Sequence, residues 1–150
     1  MSTSSWDEIA QRTEASRIHA AVERSSKRVR LTAEVFTPSD LVCRLLRLVP
    51  SDALGPGRTV LDPACGDGQF LYAVKMAKML IFGMTEDAAL SELYGVDIVA
   101  QNVDLCRKRL GGGYIAVGNS LIPCQVVADQ TDADRKIMSL IFSTAQPSLF

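Results

Sequence analysis

The chain has 150 residues, of which 47% are hydrophobic and 22% charged, with a formal net charge of −1. Such a chain is one globular domain, long enough for a single core, and its balance excludes a protein that binds nucleic acid through global basic charge. Cys43, Cys65, Cys106 and Cys124 are widely spaced and form no Cys-x-x-Cys pair, so neither a zinc site nor a redox motif is written here. No signal peptide is visible at Met1, and no apolar run reaches the roughly 18 residues of a membrane span. The expectation is a cytoplasmic protein with reduced thiols and no membrane partner.

Met1 to Ser5 are mostly small and polar and read as an unstructured lead-in. From Trp6 to about Lys27 there is no Gly or Pro, and Trp6, Ile9, Ala10, Ile18, Ala21 and Val22 share one side at helical spacing. His19, with no second ligand near it, reads as a surface or interhelix residue rather than a metal ligand or base. The run Lys27-Arg28-Val29-Arg30 fits either a solvated helix end or a phosphate contact. Pro38 forces Thr37 out of helical geometry, which makes Thr37 the expected N-cap of an apolar helix from Ser39 to Leu48. Pro50 to Gly57 is a loop.

Thr59-Val60-Leu61 suits a short buried strand, and Asp62-Pro63-Ala64-Cys65-Gly66-Asp67-Gly68 is a turn that Pro63, Gly66 and Gly68 shape. Helix formers follow from Gln69 to about Phe82, with Phe70, Leu71, Val74, Ala77 and Leu80 spaced to face a sheet. Met76, Met79 and Met84 read as core filler. A short polar helix begins at Thr85. Leu93 to Ile98 is a second buried strand, Val99 to Leu110 a helix, Gly111-Gly112-Gly113 its break, and Tyr114 to Val117 a third strand. Val126-Val127-Ala128-Asp129 has the composition of a fourth short strand, and Asp132 to Phe142 closes the chain with a helix.

A strand–glycine turn–helix unit aims free N–H groups at whatever lies over the strand end. A dinucleotide fingerprint needs a third glycine where Leu71 stands, and a phosphate loop needs Gly-Lys-Ser/Thr, which is absent. Asp62 at the strand end repels a phosphate and welcomes an amino or hydroxyl group, so the turn suits a nucleoside that carries positive charge. The alternative is a surface turn whose glycines only reverse the chain. Asp97, ending the second strand, either accepts both hydroxyls of a ribose or caps the helix after it.

The stretch Asp-Pro-Ala-Cys-Gly-Asp-Gly-Gln-Phe resembles motif I of the N6-adenine DNA methyltransferases, Asp-Pro-Ala-Cys-Gly-Ser-Gly-x-Phe, and departs from it only at Asp67. Glu34-Val35-Phe36-Thr37-Pro38 and the apolar helix after it resemble motif X. Gly95-Val96-Asp97-Ile98 resembles motif II, and Gly118-Asn119-Ser120-Leu121 motif III. The motifs stand in family order from Leu31 to Leu121.

The resemblance implies a Rossmann-like α/β fold with a small or truncated parallel sheet flanked by helices. It divides the chain into an N-terminal helical extension, residues 1–30, and a cofactor-binding domain, residues 31–150. It implies S-adenosylmethionine as cofactor, held by Asp62, Ala64, Cys65, Gly66, Gly68 and Phe70. Phe36, Thr37 and Pro38 would lie at its methionine end, Asp97 on its ribose, Ile98 on the adenine face, and Asn119 and Ser120 at the adenine edge. It also implies DNA or another nucleic acid as partner.

One departure is large. The family's catalytic motif IV, Asn/Asp/Ser-Pro-Pro-aromatic, has no counterpart, because no Pro-Pro pair occurs in the sequence. No catalytic residue is therefore assigned. Three readings follow: a reduced methyltransferase or one completed by another chain, a non-methylating cofactor-binding regulator, and an S-adenosylmethionine hydrolase or lyase. If Val126 to Asp129 does not pair with the first strand, that strand keeps an open edge, and a homo-oligomer or partner subunit is expected.

Overall fold

The computed structural model describes residues 3–19 and 37–143. The basic run at residues 27–30, Phe36 and the tail after Ser143 lie outside the described residues, as does the side chain of His19. Helix α1 spans Thr3–His19, so it begins before Trp6 and takes in residues expected to be unstructured. Helix α2 is Ser39–Leu46, a 3-10 turn covers Ser51–Leu54, and strand β1 is Val60–Asp62. Helices α3 (Gln69–Leu80) and α4 (Glu86–Leu90) lead to strand β2, Leu93–Asp97. Helix α5 (Ala100–Leu110), strand β3 (Tyr114–Val117) and helix α6 (Asp132–Phe142) complete the described chain.

The architecture is α/β: a three-stranded parallel sheet in the order β1–β2–β3, flanked by helices. Val60 stands opposite Leu93 and Asp62 opposite Gly95, while Gly95 stands opposite Ile115 and Asp97 opposite Val117. Right-handed crossovers that step the same way across a sheet leave their helices on one face. Accordingly α3 and α5 pack on the face that carries Leu93, Gly95 and Ile115. Leu71, Leu93, Val103, Leu110 and Ile115 are all at most 1% exposed there, and each such side chain contributes roughly 1.5–3 kcal/mol of burial. Trp6 and Ile9 join the same core from α1, which lies on α2 and α3.

The opposite face is covered by α6 over β3, where Val96, Ala116 and Met138 form a second small cluster. Beyond it, a row of side chains crosses the sheet: Leu61, Tyr94 and Tyr114 occupy one register, and the two tyrosine rings stack with centroids 4.9 Å apart. Leu61 is 41% exposed.

Two buried lysines brace the start of this sheet. Lys78, fully buried on α3, donates to the carbonyls of Gly55 at 3.1 Å and Arg58 at 2.8 Å and pairs with Glu92. Lys75 pairs with Glu86 and donates to the Leu110 carbonyl. A buried ammonium is tolerated only when paired and hydrogen-bonded, as both are.

Two sequence expectations need correction. Thr37 is not the N-cap of α2: Pro38, with ψ 147°, is itself the extended residue before Ser39, and no side chain caps the helix. Val126 to Asp129 forms no strand. Val126 is 68% exposed and Asp129 turns left-handed at φ 59°, so that segment buries too little and bends too sharply to join a ladder. The condition for an open edge is consequently met: among the described residues β1 has β2 as its hydrogen-bonded neighbour and lies at the edge of the sheet.

Candidate functional site

Loops converge over the carboxyl ends of parallel strands, and here the ends of β1 and β2 both carry an aspartate. Asp62 Oδ1 accepts the Ala64 N–H at 3.1 Å. Burial pushes the Asp62 carboxyl above its ordinary range; the Ala64 N–H pulls it down, and the negative charge of Asp97 raises it again. The mouth of the sheet therefore brings two carboxylates within electrostatic reach of each other, an arrangement that favours a cation or hydroxyl donors.

The glycine turn is pinned against β2. The Cys65 N–H donates to the Val96 carbonyl at 2.9 Å, and the Gly66 N–H donates to Asp97 Oδ2 at 2.9 Å. Gly66 and Gly68 adopt φ of 54° and 87°, the left-handed region that suits glycine. A Cβ on Gly68 would lie 2.8 Å from Cys106 Sγ on α5, so helix packing as well as backbone conformation demands glycine there. The Cys65 thiol, beneath the turn, is pushed well up by its hydrogen bond with Cys106 and by burial, and such a thiol is inert. Ala64 is exposed at the turn's tip, and Phe70 is half-buried against the core.

Asp97 serves its own loop as well. Its Oδ1 accepts from the Val99 N–H at 2.8 Å and from Asn102 Nδ2 at 3.3 Å. Val99, not Asp97, occupies the cap position of α5, so the carboxylate closes an Asx turn rather than capping the helix. Ile98, beside it, is 57% exposed.

The loop after β3 crosses above β2 to reach the glycine turn, where the Ser120 hydroxyl donates to the Pro63 carbonyl at 2.7 Å. Asn119 turns its Oδ1 to the N–H groups of Leu121 at 3.0 Å and Ile122 at 3.3 Å, and its Nδ2 donates to Gln125. Thr37 is half-buried and Pro38 exposed. The link from their segment to the turn runs through the next residue, since Ser39 Oγ accepts from Gln69 Nε2 at 2.8 Å. The structure thus joins the ends of β1, β2 and β3 directly and the start of α2 through Ser39.

Sequence reasoning passed over Asp67 and Arg109. Asp67, 6% exposed, points away from the pocket into an ion pair with Arg109 at 3.3 Å. The available signal was a charged residue in a turn position where motif I has serine.

A family model described as N-6 DNA Methylase matches residues 22–110, more than half of the chain. The chain belongs to the N-6 DNA methylase family. The matched stretch contains α2, the glycine turn and Asp97; α1 and the Asn119–Ser120 loop of this methylase-family chain fall outside it. No curated protein and no solved structure matches the chain. Among the described residues no helix is long and apolar enough to cross a membrane. Membership carries a DNA-methyltransferase-like function, and the acidic, glycine-lined mouth of the sheet is the candidate site for it.

Proposed function

We propose that this chain binds S-adenosylmethionine over Gly66 and Gly68 and serves methyl transfer to adenine N6 in DNA in the cytoplasm. The observation that carries the reading is the closure of the glycine turn on the β2 carboxylate, Gly66 N–H to Asp97 Oδ2, beside a second strand-end acid. The residues fit the group. Two carboxylates suit a sulfonium and ribose hydroxyls and disfavour a phosphate. A carboxylate oxygen accepts two hydrogen bonds, so Oδ2 has room for a ribose hydroxyl beside its one donor among the described residues. Exposed Ile98 offers an apolar surface for a base, and Asn119 an amide near the adenine edge once its Oδ1 exchanges a loop N–H for the ligand. The bound cofactor would supply an electrophilic methyl group.

Positioning of the acceptor amino group is the part this chain lacks. No Asn/Asp/Ser-Pro-Pro-aromatic motif stands after β3, and the segment 118–131 is turn and coil. The reading therefore includes a different polypeptide segment that contributes those groups and meets the sheet at β1. The lack of a second hydrogen-bonded neighbour for that strand among the described residues and the exposed Leu61 support this assignment.

Calorimetry with S-adenosylmethionine, followed by incubation with labelled cofactor and mixed-sequence DNA, tests both parts. The expected result is binding by the isolated chain with little or no N6-methyladenine formed. Absence of binding overturns the cofactor assignment, and many turnovers by the pure chain overturn the need for a partner. Cofactor hydrolysis or lyase products without DNA would select the degradative alternative.

A further inference from the structure

Helix α1 precedes the family-matched stretch, yet it reaches the glycine turn by two polar chains. In the first, Arg109 of α5 donates through Nη2 to the Thr13 carbonyl and through Nε to Ser16 Oγ, both at 2.8 Å. Its Nη1 meets Asp67 Oδ1 at 3.3 Å, and the guanidinium lies 5.5 Å from the centre of the Tyr72 ring. In the second, the Gln69 amide donates to Ser39 Oγ, whose hydroxyl donates to Glu14 Oε2 on α1. Asp67 and Gln69 are the two neighbours of Gly68. Thr13, Ser39, Asp67, Gln69 and Arg109 are each at most 8% exposed, so the inner links are shielded from competing water, while Ser16 is half-buried and Glu14 exposed at the α1 ends.

We propose that α1 is a positioning element for the cofactor turn: its seating and S-adenosylmethionine binding are coupled through Arg109–Asp67 and Glu14–Ser39–Gln69. This rests on the cofactor reading above and adds a regulatory input to it. With α1 seated, both residues flanking Gly68 are held before the ligand arrives, so the turn need not be ordered at the moment of binding. With α1 displaced, Arg109 and Ser39 lose the α1 partners that fix their direction, and through them Asp67 and Gln69 lose support; burial already disfavours the Arg109 charge, which Asp67 offsets. Any partner or modification that lifts α1 then lowers cofactor affinity, and by reciprocity the cofactor tightens α1. Arg109, Ser16 and Glu14 are positioning residues, not cofactor contacts.

The full-length chain tests this with two measurements: calorimetric affinity for S-adenosylmethionine, and hydrogen exchange of the α1 amides with and without it. Ser16→Ala and Glu14→Ala each remove one link on α1, and circular dichroism verifies that the fold is kept. The coupling predicts roughly fivefold or weaker binding for the double variant, and slower α1 exchange when wild type is saturated with cofactor. Glu14→Gln, whose amide oxygen still accepts from Ser39, restores near-wild-type affinity. Equal affinity in wild type and the double variant, or α1 exchange indifferent to bound cofactor, overturns the coupling while leaving the cofactor site in place. A wild-type chain that binds no cofactor overturns the site itself and the coupling with it.

Discussion

The Asp97 carboxylate receives the Gly66 N–H across 2.9 Å, which joins the turn after β1 to the end of β2 as one unit. The same carboxylate holds the Val99 N–H and Asn102. Asp97→Ala therefore removes the acceptor of the Gly66 and Val99 N–H groups together with the proposed ribose acceptor. It should lose about 1.5–3 kcal/mol of cofactor binding energy and a similar amount of folding stability. Calorimetry and chemical denaturation check the two losses separately; equal cofactor binding by variant and wild type would contradict the assignment.

Asp62 should trade stability against binding. Its folded pKa is raised above the ordinary 3.8, first by burial and then by Asp97, against the pull of the Ala64 N–H. A raised carboxyl favours the folded state most below 3.8 and loses that contribution as pH rises through the folded value. At neutral pH the ionised group is a cost. Asp62→Asn keeps an acceptor for Ala64, so its Tm should exceed wild type by a few degrees at pH 7, with the gap closing in acid. Cofactor affinity should fall in the same variant. A lower Tm at pH 7 would count against the burial argument.

Asp134 should behave in the opposite sense. Burial raises its pKa, but the N–H and hydroxyl of Thr131, the Val117 N–H and Arg107 together hold it below 3.8. Stability from a lowered carboxylate is present above that value and lost as pH falls through the folded one. Asp134 closes the capping box of α6 and pins that helix to β3 and α5. Asp134→Ala should destabilise by about 2–4 kcal/mol at neutral pH, and the difference from wild type should shrink in acid. Urea melts across pH measure this; a neutral substitution would show that α6 is held by Met138 packing alone.

Gly68→Ala should be costly although it adds one methyl group. The new Cβ would sit at φ 87° and 2.8 Å from the buried Cys106 Sγ. Strain and overpacking together predict a loss of about 2–4 kcal/mol. Gly57→Ala, left-handed at φ 77° with nothing within 4 Å, controls for backbone strain alone and should cost less. Thermal denaturation of the two variants decides between contact and conformation.

Much of the fold was legible in local sequence. Tyr114–Val117 and Asp132–Phe142 lie where patterning places them, and α3 starts at Gln69, directly after the glycine turn. The turn itself was legible because Pro63, Gly66 and Gly68 act on backbone dihedrals within a few residues. Sequence also located both strand-end aspartates, since a buried strand that ends in an acid is a local pattern.

Tertiary structure alone decided where polar side chains point. Asp67 looks like any turn aspartate until α5 brings Arg109 to it from 42 residues away, and Arg109 then bonds Thr13 across 96 residues of sequence. Lys78 sits among helix formers, but three acceptors from a distant loop and Glu92 allow its full burial. Val126 to Asp129 has strand composition and no strand, because pairing needs a buried place beside β1 that the chain does not give it. Period and turn chemistry act between neighbours, whereas the direction of a charge depends on which partner packing places within reach.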